Sequence, residues 1–294
     1  MRIYAAFLGC CLIWGSTFLA IRLGNEAIAP VWGAAIRLVL AAVLLLGIAR
    51  LFRMPLPRGA ALRGAALYGF FNFGVNFSLL YIGEQTVPSG IAAVLFATVP
   101  LSTTLLAASL GVERLVIRKL IAALVAIVGV AVIFAGELGA AVPLVGLLTV
   151  FGGATAAALS GVLLKQAPKQ AAIPANAVGA TVGAVVCLLV STALGEAHTF
   201  PITFGGWLPL LYLVVAGSLG AFVLFSWLIA RWAVTNVSLI GVIVPIIAVI
   251  LGAIVKAEAP APLTYVGAAI VITAVLVAIR APLRAADPAP ARAA

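Results

Sequence analysis

Apolar residues fill this chain in runs of membrane length, separated by short stretches that carry most of the charge. A helix needs about 20 apolar residues to cross the hydrocarbon layer. Runs of that length bounded by Pro, Gly or charge predict ten helices, at about 4–21, 31–50, 64–82, 89–110, 117–135, 143–164, 174–194, 207–230, 235–255 and 264–280. Pro30 and Pro143 stand near helix starts, where a missing N–H leaves no bond unmade. The first run has no convincing small-residue cleavage pattern and further runs follow it, so it reads as a membrane helix and not as a leader. The fold expected is an all-α polytopic membrane protein.

Shifting the chain by 145 residues against itself lays Pro100 on Pro245 and Glu113 on Glu258, and sets the fifth predicted helix on the tenth without a gap. The expected organisation is a five-helix repeat over residues 1–138, a second over 139–283, and a disordered cytoplasmic tail over 284–294. Because five is odd, the second repeat enters the membrane inverted. Two inverted five-helix repeats around a central cavity offer a physical route to alternating access, since exchanging the conformations of the halves turns the cavity from one face to the other.

Composition narrows the class. At 65% hydrophobic and 8% charged over 294 residues, a soluble domain is excluded. The net charge of +10 would elsewhere raise the question of nucleic acid, yet the basic residues sit in short loops between the apolar runs. If the N-terminus is cytoplasmic, 14 of the 17 Lys and Arg fall on the inner side, leaving Arg22 and Lys256 outside and Arg37 within a helix. That bias predicts both termini inside an inner (plasma) membrane. The expected partners are the bilayer and a small solute, with no nucleic acid; a monomer is compatible with the pattern, which leaves the oligomeric state open. Cys10, Cys11 and Cys187 form no disulfide framework and read as packing residues.

Each mid-helix proline removes one backbone donor and frees a carbonyl four residues earlier, that of Phe96 for Pro100 and of Gly241 for Pro245. These are either matched broken helices that hinge or line a pathway, or simple kinks. Asn72 and Asn76, four apart, share a helix face near Tyr68, Phe73 and Tyr81. Such a mixture suits a pocket for a small amphipathic solute, and equally suits amide glue between helices. Trp14 and Thr17 belong to a compact polar interruption of the first helix, and Ser160 and Trp227 are comparable candidates in the second half. The candidate substrate-binding set is therefore Trp14, Thr17, Asn72, Asn76, Tyr81, Phe96, Ser160 and Trp227, with Pro100 and Pro245 as hinges. Arg37 is expected to snorkel outward or to pair with Glu84 or Glu26, ahead of touching substrate. Every acid lies at a span end or beyond, which points to a neutral or zwitterionic substrate. Nothing in the sequence marks a cofactor or a metal site.

The order Trp14-Gly15-Ser16-Thr17-Phe18, Arg37, Pro100, Glu113-Arg114, and the echo at Pro245 and Glu258 resembles the EamA-type members of the drug/metabolite transporter superfamily. The resemblance implies two inverted five-helix halves around a central cavity and export of small metabolites, amino acids included, or of drugs. The second copy departs from the first: Leu159 replaces Trp14, Gly217 and Ala221 replace Asn72 and Asn76, and Ala259 and Pro260 follow Glu258. The first half is thus expected to carry more of the specificity. A membrane enzyme fits less well, because the sole histidine, His198, falls in an outer loop and neither H-E-x-x-H nor G-x-S-x-G occurs. A channel would call for a ring of filter residues that the sequence does not show.

Overall fold

A computed structural model describes residues 2–87, 89–135, 141–256 and 261–280, and every regular element among them is helical. In chain order these are α1 (Arg2–Asn25), α2 (Pro30–Leu51), α3 (Gly59–Gly83), α4 (Ser89–Phe96 and Val99–Ser109), α5 (Ile117–Ile133), α6 (Leu144–Gln166), α7 (Ala172–Ala193), α8 (Phe204–Ile229), α9 (Val234–Val237 and Ile240–Lys256) and α10 (Pro262–Ile279). Seven helices among the described residues are long and apolar enough to cross a membrane, and a shorter apolar stretch covers Val234–Ile250. The count of ten spans exceeds those seven; the ten predicted runs nonetheless each coincide with a helical segment. Exposed apolar side chains such as Val43, Leu51, Leu189 and Tyr265 stand on the outside of the bundle. In water that surface would be unfavourable, and in lipid it is the expected one. Glu258 and the tail over 284–294 lie outside the described residues.

The packing has an order that survives renumbering by five. α2 lies along α7 and α5 along α10, so each of these two helices pairs with the one five places on. The contacts of α3 with α6 and of α4 with α6 recur as α8 with α1 and α9 with α1. Close approach is made possible by glycine, as small residues allow in membrane interfaces. A Cβ on Gly69 would sit 2.3 Å from the Gly179 backbone, and one on Gly267 would sit 2.6 Å from the Gly129 carbonyl oxygen. These positions set the α3–α7 and α5–α10 crossings at backbone contact.

Two helices contain π segments that hydropathy does not announce. Residues Phe70–Val75 of α3 and Leu213–Ala221 of α8 have the wider turn. Under the 145-residue shift the first falls inside the second. A π turn carries an extra residue, leaves backbone bonds imperfect and is frequent at functional sites. The two broken helices also differ from simple symmetry. Pro100 stands in the first turn of Val99–Ser109, just after the break at Ala97–Thr98, where its missing N–H costs little. Pro245 lies inside Ile240–Lys256, beyond a break at Ser238–Leu239.

Loop residues tie helix ends together. The Glu113 carboxylate accepts hydrogen bonds from the Val234 backbone N–H and the Thr235 hydroxyl, both at 2.6 Å, at the start of α9. Lys119 Nζ lies 3.7 Å from the same carboxylate and also bonds the Thr235 hydroxyl. Lys165 donates to the carbonyls of Ile229 (2.8 Å) and Trp232 (2.7 Å), at and beyond the end of α8. A negative charge thus meets a helix start and a positive charge a helix end, each the favourable sense for the helix dipole. The Glu196 carboxylate accepts from the N–H groups of Val31 (3.0 Å) and Trp32 (2.8 Å) in the first turn of α2.

Candidate functional site

Between α1, α2, α3, α4, α6, α8 and α9 lies a cavity of about 140 Å³. Cavities of roughly 150 Å³ hold a benzene-sized guest. Its walls are mostly apolar, with Phe77, Leu80, Phe222, Phe225 and Val244 among them. The polar side chains on it are Thr17, Arg37, Asn72, Asn76, Thr103 and Ser238, with the Trp14 indole beside them, and among the described residues no acid lines it.

The polar interruption of α1 divides its labour by helical phase. Gly15 lets α1 cross α9, since a Cβ there would lie 2.5 Å from Ile247. Trp14 and Thr17 then face the cavity, while Ser16 turns to the Ile13 carbonyl and the Tyr212 hydroxyl. The Trp14 ring stands edge-on to Phe222 with centroids 4.9 Å apart, and 5.3 Å from Phe225. Thr17 satisfies its own hydroxyl by donating to the Trp14 carbonyl at 2.8 Å.

In α3, Asn72 lies within the π segment and Asn76 directly follows it. Asn76 Nδ2 donates to the Asn72 carbonyl at 3.1 Å, but Asn76 Oδ1 and Asn72 Nδ2 have no hydrogen-bond partner among the described residues. An unpaired buried amide atom costs about 1–3 kcal/mol. Two such atoms on one cavity make poor helix glue, because glue would show as interhelical bonds. The Phe96 side chain also lines the cavity, and a Cβ on Gly241 would sit 3.3 Å from the Phe96 carbonyl oxygen. The broken helices α4 and α9 therefore meet at the two residues whose carbonyls the prolines release.

Of the residues singled out from sequence, Trp14, Thr17, Asn72, Asn76, Phe96 and Pro245 line this cavity together. Tyr81, Ser160, Trp227 and Pro100 do not. The buried Tyr81 hydroxyl accepts from Arg37 Nη1 at 3.4 Å, so it stands behind that guanidinium. Ser160 is fully buried and bonds back to the Ala157 carbonyl at 2.7 Å. Trp227 lies under the Arg231 guanidinium, 4.4 Å from its ring centre. Pro100 is buried between the lining residues Val99 and Thr103.

Arg37 departs most from expectation. It is 2% exposed, donates from Nε to the Ser218 hydroxyl at 3.0 Å, lies 4.8 Å over the Phe77 ring, and lines the cavity. Neither Glu84 nor Glu26 pairs with it, and it does not snorkel. The sequence held a signal: Ala34, Leu38 and Ala41 mark the buried stripe of α2 at helical spacing, and Arg37 falls inside that stripe. A Cβ on Gly217 would lie 2.7 Å from Arg37 Nη2. The site that matches Asn72 in the second half is therefore empty of side chain because the guanidinium fills it.

The sequence profile of the EamA-like transporter family matches residues 1–135 and 144–280. The chain belongs to the EamA-like transporter family. It is a multi-pass integral membrane protein and a membrane transporter. A relative from Escherichia coli K12, named as the uncharacterized inner membrane transporter YedA, is 29% identical over 279 residues, covering 94% of this chain and 90% of the relative. A protein of Streptantibioticus cattleyicolor named as a probable terminal-alkyne amino-acid exporter is 36% identical over 120 residues, or 41% of this chain and 40% of its own. A solved crystal structure superimposes with a TM-score of 0.76 over 94% of this chain and 96% of the other, at 19% identity, which shows a shared fold.

Proposed function

We propose that this EamA-like transporter is a secondary exporter of small neutral or zwitterionic metabolites, amino acids foremost, in a bacterial-type inner membrane. It works by alternating access: two inverted five-helix repeats, both termini cytoplasmic, rock about the central cavity, and no catalytic chemistry is involved. The observation that carries this reading is the cavity itself, where the apolar walls hold unpartnered amide atoms of Asn72 and Asn76 at the crossing of two broken helices. The pairing of each of α2 and α5 with the helix five places on supports two equivalent halves. The lack of an acid on the cavity among the described residues argues against a proton-for-cation exchange and for a substrate without net positive charge. The amino-acid exporter from Streptantibioticus cattleyicolor adds support for the substrate class.

Counterflow in proteoliposomes tests this directly, with amino acids, purines and quaternary ammonium compounds, with and without a proton gradient. Saturable counterflow of one or more amino acids is expected. Robust proton-driven flux of organic cations, or flux that never saturates, would overturn the reading.

A further inference from the structure

We infer that the Arg37 guanidinium is the anchor for the carboxylate of a zwitterionic amino acid held in the central cavity. This rests on the transporter reading above and names the chemical group that decides which solutes enter. Arginine stays protonated at any working pH, and a charge taken out of water needs a counter-charge or a full set of bonds. Arg37 has neither. Its protein partners are the Ser218 hydroxyl on Nε and the more distant Tyr81 hydroxyl on Nη1, and no carboxylate among the described residues is paired with it. Nη2 has no hydrogen-bond partner there at all.

The rest of the cavity has the same bias. Among the described residues, Asn72 Nδ2 is a buried donor without a partner, and the Trp14 indole on the same cavity has no hydrogen-bond acceptor. Against these stands one unpartnered side-chain acceptor on the same cavity among the described residues, Asn76 Oδ1, beside the backbone carbonyls that the prolines release. A surplus of side-chain donors beside a fixed positive charge fits a planar anion, and a guanidinium matches a carboxylate through two parallel bonds. One buried Arg balances one negative charge, which favours a carboxylate over a doubly charged phosphate. Asn76 Oδ1 and the released carbonyls then face the ammonium of the same zwitterion, and the aromatic wall of Trp14, Phe222 and Phe225 takes its side chain. Ser218 and Tyr81 serve as positioning residues that aim the fork. The fold reserves space for it as well: a methyl group on Gly217 would strike Nη2 at 2.7 Å.

The test uses proteoliposomes of the full chain and whichever L-amino acid gives the strongest counterflow. Its free acid and its primary carboxamide, which keeps the shape and removes the negative charge, compete against the labelled acid. In wild type the acid is expected to compete about tenfold better or more. Arg37→Gln brings the two within about twofold, and Arg37→Lys, which keeps charge but not the fork, keeps part of the preference. Gly217→Ala guards against a fold defect, since only the end of a flexible side chain has to move, and it lowers the preference in a protein that remains monodisperse. Equal competition in wild type, or an undiminished acid preference in Arg37→Gln or Gly217→Ala, overturns the anchor while the transporter reading stands. Absence of counterflow for every amino acid overturns both.

Discussion

Replacing Glu113 by Gln tests whether the loop after α4 fastens the start of α9. The carboxylate holds two bonds of 2.6 Å and faces Lys119, which is 5% exposed. Glutamine keeps the size but offers one oxygen, so its NH₂ is turned toward the Val234 N–H or toward Thr235 and Lys119. Each hydrogen bond to a charged group contributes about 1.5–3 kcal/mol, and Lys119 loses its counter-charge. Loss of one bond and weakening of the other come to about 3 kcal/mol. Unfolding of the purified protein by titration with SDS measures it, in a cycle of Glu113→Gln, Thr235→Val and the double variant. A coupling of about 1–2 kcal/mol between the two sites is expected. A single variant within about 0.5 kcal/mol of wild type, or strictly additive losses, would refute the reasoning.

Gly69→Ala places a methyl 2.3 Å from the Gly179 backbone and is expected to lose about 1–3 kcal/mol in the same titration, whereas Gly47→Ala, with nothing within 4 Å, is expected to be neutral or slightly stabilising. Asn76→Leu removes a buried oxygen that has no partner, so thermal stability should hold or rise while counterflow falls about tenfold or more; wild-type flux would remove Asn76 from the pathway. Burial raises the carboxyl of half-buried Glu84, one residue beyond α3, to about 7 from an ordinary 4.5. The unfolded chain then releases that proton first, so stability should fall as pH rises from 4.5 to 7 and level off above; Glu84→Gln should flatten that window in a melting series.

The apolar runs reported the helices because lipid leaves the backbone few other solutions, and the predicted boundaries fall within a few residues of those seen. Trp14, Asn72 and Asn76 stood out because a large ring or an amide in hydrocarbon must serve some purpose, but the sequence left pocket and helix glue equal for the amides; all three line the cavity. The π segments at Phe70–Val75 and Leu213–Ala221 were not, since one extra residue in a turn leaves the hydropathy pattern unchanged. Arg37 was placed toward the outside because long basic side chains usually reach for the interface, and its position on the Ala34–Leu38–Ala41 stripe argued the opposite. Ser160 and Trp227 were chosen by residue type alone, and packing turned one onto its own backbone and the other under Arg231. Gly217 read as a departure of the second copy from the first; the structure makes it room for the Arg37 guanidinium.

The cavity as the place where solute crosses is tested most directly by thiol labelling of Thr103→Cys. Thr103 lines the cavity, and Cys10, Cys11 and Cys187 are fully buried and give little background. In sealed right-side-out and inverted vesicles, a membrane-impermeant thiol reagent is expected to label the variant from both faces, more slowly when the amino acid that gives the strongest counterflow is present. Labelling from one face alone, or labelling that the amino acid does not slow, would contradict alternating access through this cavity.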